Sequence, residues 1–250
     1  CGGGSSNTPG STNQLNANNI NLIFVVTPDV ANDPLGDINP VTANLNNQGL
    51  QRSLLMATYL KRQLLGTNNV TAIYTLEPMT HPQTENNYPD MAAIGFIQQF
   101  ALLNRITIQG TTAYGFPIYA AYAPGDRPDG VAKPNPYIPQ AQGLAFNDTN
   151  GNNLDLLTRI INANVPGFHV FSAPWETTSA LLADIKKSKG YTIDLPTAYK
   201  GPNFVYVISI TPSGSAGLAT FDSKLNPAAT YPVLPSPVAG CPCTQQHYFN

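Results

Sequence analysis

Buried strands and amphipathic helices alternate along the central part of the chain. Continuous apolar runs predict buried strands at 20–26, 70–75 and 168–172. Apolar positions at helical spacing predict helices at 46–66, 89–103, 154–163 and 177–187. This alternation is typical of an α/β fold with a mostly parallel sheet, whose site lies at the carboxyl ends of the strands.

The first predicted helix carries a start and a stop signal. Asn46 and Asn47 offer side-chain oxygens that can cap its first turn, and Gly66 ends it. Its apolar positions recur at helical spacing and are Leu50, Leu54, Leu55, Tyr59 and Leu60. Near the end of the domain, apolar runs at 203–210 and 216–221 predict a hairpin.

Between 110 and 146 the periodicity disappears into proline, glycine, alanine and tyrosine. A loop of this length has a function of its own or packs as a lid. Its tyrosines and Trp175 can stack on a sugar or on a side chain of a partner, and bulk packing explains them equally well.

Composition narrows the classes of partner. The chain has 250 residues, 42% of them hydrophobic, so it is long enough to bury a full core in one or two domains. Only 10% of the residues are charged, the net charge is −2, and no basic stripe exists to hold nucleic acid. No apolar run reaches the length that spans a membrane.

The beginning of the sequence resembles a mature bacterial lipoprotein. Cys1 is followed by three glycines and two serines, and then by a polar stretch to Asn19. The resemblance implies lipid on Cys1, a flexible tether over residues 1–19, and a protein that is exported and anchored at the bacterial outer membrane or cell surface. The alternative is a chain that happens to begin at a cysteine.

The order of elements from 21 to 84 resembles the opening of the histidine phosphatase (phosphoglycerate-mutase-like) superfamily. Residues 45–52 are similar to that family's Leu-Thr-x-x-Gly-x-x-Gln segment, and Gln83-Thr84 to the end of its Arg-Ala-x-Gln-Thr segment. The resemblance covers about 21–231 and implies a three-layer α/β/α sandwich with a mostly parallel mixed sheet. It divides the chain into the tether, a domain over 20–235, and a tail over 236–250 that contains Cys-Pro-Cys.

The residues that do the chemistry in that family are missing here. Its Arg-His-Gly falls on Thr27, Pro28 and Asp29, its phosphate-clamping arginine on Thr80, and its second histidine on Ala173. The family's acidic proton donor has no counterpart either, because no Asp or Glu occurs in 91–125. The resemblance therefore implies a catalytically inactive member without a cofactor.

The rest of the degenerate pocket is predicted to consist of His81, Pro174 and Trp175. Five acidic residues follow strand ends near it and should repel phosphate: Asp29, Asp33, Asp37, Glu77 and Glu176. His169, in the middle of a predicted strand, is interpreted as a core residue.

Three segments offer metal ligands, but no metal site is predicted. Residues 148–155 place oxygens at alternate positions, as calcium loops do, but an Asx-rich turn that caps the next helix is favoured. The acidic loop 29–37 can hold a hard cation, but Pro34 within it and Pro28 directly before it favour a solvated loop. Cys241, Cys243 and His247 give an incomplete shell for a soft metal, and the two cysteines can instead form a disulfide.

Two hypotheses about function follow. The first is a lipid-anchored, non-catalytic binding or structural protein that contacts a protein partner, a glycan or further copies of itself. The second is a hydrolase that has rebuilt its chemistry in the same cleft, with a metal on Asp29, Asp33 or Asp37.

Overall fold

The described part of the chain contains a six-stranded mixed sheet that is flanked by helices, and two short two-stranded sheets. The computed structural model describes residues 15–33, 36–76, 79–80, 90–105, 111–113, 116–118, 120–121, 133–134 and 152–228. Within these ranges no helix has the length and apolar character needed to cross a membrane.

The strands and helices follow the predicted order. The helices are α1 (Asn47–Tyr59), which continues as a π-helix (Leu60–Leu65), α2 (Ala92–Asn104), α3 (Asn152–Ala163) and α4 (Trp175–Lys189). The strands of the main sheet are β1 (Ile20–Val26), β2 (Ala72–Leu76), β6 (Ala120–Ala121), β8 (Gly167–Ala173), β9 (Phe204–Ile210) and β10 (Ala216–Asp222). Short strands β3 (Met79–Thr80) and β7 (Lys133–Pro134) pair with each other, as do β4 (Thr111–Ala113) and β5 (Phe116–Ile118).

The strand order of the main sheet is β10-β9-β1-β8-β2-β6. The pairs β1–β8, β8–β2 and β2–β6 are parallel, whereas β9 is antiparallel to both β1 and β10. The predicted hairpin is therefore confirmed, and the predicted strand over 20–26 lies inside the sheet beside the strand that contains 168–172. The expectation of an α/β fold with a mixed sheet is confirmed.

Alternate residues of β1 belong to two different apolar clusters. Ile23 and Val25 join a cluster with residues of α1, the π-helix and α2. Leu22 and Phe24 join a second cluster with residues of α3 and α4. Since successive side chains of a strand point to opposite faces, helices cover both faces of the sheet around β1.

The folded part includes residues that precede the expected domain start at 20. Leu15 packs against the first cluster, and the Asn16 carbonyl accepts a hydrogen bond from Asn21 Nδ2 at 2.9 Å. Asn21 is fully buried inside β1, and its Oδ1 accepts from Ser209 Oγ on β9 at 2.7 Å. A polar residue in this apolar strand is thus satisfied from both sides.

Helix α1 begins as predicted, and the π-helix that continues it ends before Gly66 as predicted, but α1 buries a different face. Asn46 caps it by accepting a hydrogen bond from the Gly49 N–H at 2.9 Å, and Gly66 follows it with a positive φ of 62°. Of its five predicted apolar positions, only Tyr59 and Leu60 are buried. Leu50, Leu54 and Leu55 are exposed, because the helix turns Arg52, Ser53 and Met56 toward the interior instead.

Candidate functional site

The carboxyl ends of β1 and β8 lie side by side. Val26 is in register with Ala173, and the Thr27 N–H donates to the Ala173 carbonyl at 2.9 Å. The chain leaves β1 toward α1 on one face of the sheet and leaves β8 toward α4 on the other. Adjacent parallel strands with such diverging connections form a topological switch point, where α/β proteins bind their ligands. We call this place, formed by residues 27–29 and 173–175, the β1–β8 junction.

The structure brings most of the predicted pocket residues to this junction. Thr27, Pro28, Asp29, Ala173 and Pro174 are buried there. Trp175 is half-buried and begins α4 directly after Pro174, whose carbonyl accepts from the Thr178 N–H. Thr80 lies in the short strand β3, and His81 lies outside the described residues.

The loop after β1 is held by its own acidic residues. Asp29 Oδ1 accepts a hydrogen bond from the Ala31 N–H at 2.7 Å, and the Asp29 carbonyl accepts from the N–H groups of Asn32 and Asp33. These bonds form a compact turn at the edge of the junction.

Asp33 and Tyr199 form a hydrogen-bonded pair next to this turn, in which the Tyr199 hydroxyl donates to Asp33 Oδ2. Burial raises the pKa of Asp33 above its ordinary value, although the hydrogen bond from Tyr199 opposes this shift. Burial, followed by the bond to Asp33, raises the pKa of Tyr199. The pair thus places a desolvated carboxyl group and a neutral phenol beside the junction.

Asp37 forms a buried ion pair with Arg52 of α1. Arg52 Nε lies 2.5 Å from Asp37 Oδ2, and Arg52 Nη1 donates to Asn203 Oδ1. Asp37 is only 2% exposed, and within the described part of the chain its Oδ1 has no hydrogen-bond partner. The arginine is therefore held by groups of the protein itself.

The five acidic residues do not form the exposed surface that the sequence predicts. Asp29 and Asp37 are buried, Asp33 is half-buried and bonded to Tyr199, and only Glu176 is exposed. Glu77 lies outside the described residues. The carboxylates that the sequence predicts as a solvent-facing surface instead stabilise the loops around the junction, because three of them have partners inside the fold.

Aromatic side chains pack beside the junction. The Trp175 ring lies 6.4 Å from the ring of Tyr199 and 5.8 Å from that of Tyr206, both in tilted geometry. Tyr206 is buried on β9, and its hydroxyl has no hydrogen-bond partner among the described residues. Trp175 and Tyr199 remain half-buried, so each keeps part of its ring accessible.

The candidate metal ligands do not converge. Asp29, Asp33 and Asp37 do not form a group of three able to hold a metal ion, and the described ranges contain no such group of His, Cys, Asp or Glu. In the segment 148–155, the described part begins α3 at Asn152, and Asp155 lies in its first turn. Cys1, Cys241, Cys243 and His247 lie outside the described residues.

Sequence reasoning missed Tyr199, Tyr206, Arg52 and Asn203 as neighbours of the site. Tyr199 lies in an irregular stretch between α4 and β9, where no periodicity singles it out. A loop and the start of a helix separate Arg52 from Asp37. Asn203 lies 151 positions after Arg52 along the chain. One signal for a buried arginine is present in the sequence: Arg52 lies among leucines of α1 that were expected to pack inward.

Comparison of the sequence with protein-family models and with curated proteins gives no match.

Proposed function

We propose that this protein is a non-catalytic binding or structural protein on a histidine-phosphatase-like scaffold, held at a bacterial outer membrane or cell surface by lipid on Cys1. A three-layer α/β/α sandwich of that type is part of the proposal. Helices on both faces of the sheet and the adjacency of β1 and β8 support it. The lipid anchor rests on the pattern of residues 1–19.

The observation that carries the proposal is the chemistry of the β1–β8 junction. Phosphoryl transfer through a covalent intermediate needs a nucleophile, and a phosphoryl group needs fixed cations around its oxygens. The residues where the two strands end are Thr27, Pro28, Ala173 and Pro174, and all are buried. Proline and alanine have no nucleophilic or basic atom in the side chain, so the position that α/β proteins use for ligands has no phosphohistidine chemistry here.

Arg52 does not replace the missing phosphate clamp. Its Nε is bonded to Asp37 and its Nη1 to Asn203, and the residue is only 9% exposed. A guanidinium that is already paired with a buried carboxylate would have to leave that carboxylate unpaired in order to bind phosphate.

The accessible groups at the junction favour contact with a partner over chemistry. Trp175 and Tyr199 offer partly exposed rings, and Glu176 is exposed in the first turn of α4. Aromatic rings of this kind contribute large contact areas to interfaces with proteins and glycans. The proposed partner is a protein, a glycan or a further copy of this chain.

One observation favours the alternative, a rebuilt hydrolase. The pKa values of Asp33 and Tyr199 are both raised, and their side chains lie beside the loop that follows β1. Perturbed carboxyl groups in such places often act as acids or bases. The pair also has a structural role, since it ties the loop after β1 to the chain after α4.

An activity screen separates the two hypotheses. Wild-type protein is tested on phosphate esters, carboxyl esters and glycosides, with and without divalent metal, beside an Asp33→Asn variant. The proposal predicts no turnover above the level of the variant. Turnover that Asp33→Asn abolishes would establish the rebuilt hydrolase instead. The anchor is tested separately by the intact mass of protein extracted from membranes, where an unmodified Cys1 would remove only that part of the proposal.

A further inference from the structure

Strand β10 is an edge strand of the main sheet, with β9 on its inner side and no partner on its outer side within the described ranges. It is seven residues long and pairs with β9 without a bulge. It contains no proline or lysine, and its one charged residue is Asp222 at the end. Proteins usually protect an edge by making the strand short or by adding lysine, proline or a bulge. An edge without these protections is suited to pairing with another strand.

The pairing of β9 with β10 determines which backbone groups of β10 point away from the sheet. The Thr211 N–H donates to the Ser215 carbonyl, and the Ser223 N–H donates to the Asn203 carbonyl, each at 2.9 Å. Residues that exchange hydrogen bonds alternate with residues that do not along an antiparallel pair. The residues of β10 whose N–H and C=O groups point outward are therefore Ala216, Leu218, Thr220 and Asp222. No hydrogen bond engages these outward groups in the part of the chain that the structure describes.

We propose that the outer edge of β10 pairs antiparallel with the same edge of a second copy of this chain, so that two six-stranded sheets become continuous across a two-fold axis at Ala219. In this register Ala216 lies opposite Asp222 of the second copy, and Leu218 lies opposite Thr220 of the second copy. Every outward group of both strands then has a partner, in four residue pairs of two hydrogen bonds each. An axis at Leu218 or Thr220 would place one outward residue of each copy opposite a residue outside the strand. The inference does not depend on the proposed function, because β9 separates this edge from β1.

The side chains of β10 are complementary to themselves in this register. Gly217 lies opposite Phe221 of the second copy, and a Cβ added to Gly217 would meet no described atom within 4 Å. The space at Gly217 can therefore receive an aromatic ring, a cross-strand pairing that compensates for glycine in a sheet. The two Ala219 residues meet at the axis as a non-hydrogen-bonded pair, where strands approach most closely and small side chains fit. Asp222 lies three positions from the axis, so the two carboxylates are roughly 20 Å apart and do not repel each other strongly.

Sedimentation equilibrium of the full chain, prepared without lipid, tests the pairing. As the protein concentration rises, the mass should increase from that of one chain, 26.7 kDa, toward twice that value. Thr220→Pro removes an outward N–H that β9 does not use, so circular dichroism should show that the variant is folded. The dimer loses one hydrogen bond from each copy, and its dissociation constant should rise about 5-fold to 150-fold, the range that two hydrogen bonds carry. Thr220→Ala keeps the N–H and is the matched control, whose dissociation constant should stay close to that of wild type.

Disulfide trapping tests the register and does not rely on the proline variant. In a full chain whose three native cysteines are replaced by serine, Ala219→Cys places two thiols at the axis, where the Cα atoms of the pair lie ~4.5 Å apart, within reach of a disulfide. Ser213→Cys is the control, because this exposed position would be roughly 40 Å from its copy. Mild oxidation should give a covalent dimer of Ala219→Cys and none of Ser213→Cys.

Three outcomes would overturn the proposed pairing. The first is a wild-type protein that stays monomeric at every concentration, and the second is a dimer whose dissociation constant Thr220→Pro leaves unchanged. The third is a yield of covalent dimer that is no higher for Ala219→Cys than for Ser213→Cys.

Discussion

His169 is a half-buried histidine whose environment disfavours its charged form. It lies in the middle of β8, its ring is 6.4 Å from the ring of Tyr74, and its Nδ1 has no hydrogen-bond partner within the described residues. Burial lowers the pKa of His169 from 6.5 to about 4. The interpretation of His169 as a core residue agrees with these observations, but no donor or acceptor in the described part of the chain satisfies its Nδ1.

The lowered pKa of His169 predicts a loss of stability in acid. Between pH 6.5 and 4 the unfolded chain binds a proton that the folded chain does not, so the free energy of unfolding falls as the pH falls through this window. At ~1.4 kcal/mol per pKa unit, the loss from this group between pH 7 and 4.5 is about 2 kcal/mol. Urea unfolding at both pH values should show a smaller loss for His169→Phe than for wild type. Equal losses would contradict a neutral, buried His169.

The ion pair between Arg52 and Asp37 is a second residue-scale feature with a measurable consequence. Replacing Arg52 by Met should destabilise the fold by about 3–5 kcal/mol, because Asp37 is then left buried without its cation. The double variant Arg52→Met/Asp37→Leu should recover most of this loss, since neither charge remains. Chemical unfolding of both variants measures the difference, and a double variant as unstable as Arg52→Met would show that the charge pairing is not the cause.

At the scale of elements, the docking of α1 depends on a close approach at Gly49. A Cβ at this position would lie 2.3 Å from the Asp37 carbonyl oxygen, and the helix start is fixed from the other side by Asn46, whose Nδ2 donates to the Gly36 carbonyl at 2.6 Å. The backbone of the loop before α1 thus occupies the space that any side chain would need.

Gly49→Ala should therefore lower the free energy of unfolding by about 1–3 kcal/mol, the usual cost of overpacking, despite the better helix propensity of alanine. Gly95→Ala in α2 is the matched control. Its added Cβ meets only the end of the Leu45 side chain at 3.3 Å, which can move, so the better helix propensity of alanine should leave the protein unchanged or stabilised by up to about 1 kcal/mol. Thermal unfolding measures both variants, and equal effects would contradict a backbone-limited approach at Gly49.

The elements themselves were largely predictable because local patterns determine them. The apolar run over β1, the cap at Asn46 and the stop at Gly66 are each written in a few neighbouring residues. The buried face of α1 was not predictable in this way. Arg52 can face inward only because Asp37 and Asn203 receive it, and those partners are distant in sequence. Strand β6 lies in the stretch 110–146, where the sequence has no strand periodicity.

The candidate site was predictable in position but not in its surroundings. The resemblance to histidine phosphatases predicted that Pro28 and Ala173 are close, and the structure places the ends of β1 and β8 side by side. That Asp29, Asp33 and Asp37 have partners inside the fold was hidden, because burial depends on how separate loops pack. Tyr199 was missed for the same reason.

At the scale of the whole molecule, the strand order forms a position where α/β proteins bind ligands, while Pro28 and Ala173 at the two strand ends have no nucleophilic side chain. The connections from β1 and β8 diverge to opposite faces of the sheet, as they do in α/β proteins with a functional crevice. Pro28 and Ala173 occupy the ends of those two strands. The central claim is therefore that the β1–β8 junction performs no phosphoryl transfer.

The most direct test is the hydrolysis of a generic phosphomonoester by purified wild type and by Pro28→His. Wild type should show no turnover above a buffer blank. Pro28→His should also be inactive, because within the described residues a single buried histidine would still have no free arginine beside it to clamp the phosphoryl group. Retained circular dichroism shows that the variant is folded. Hydrolysis by clean wild type that a substitution at Thr27, Asp33 or Trp175 abolishes would contradict the claim.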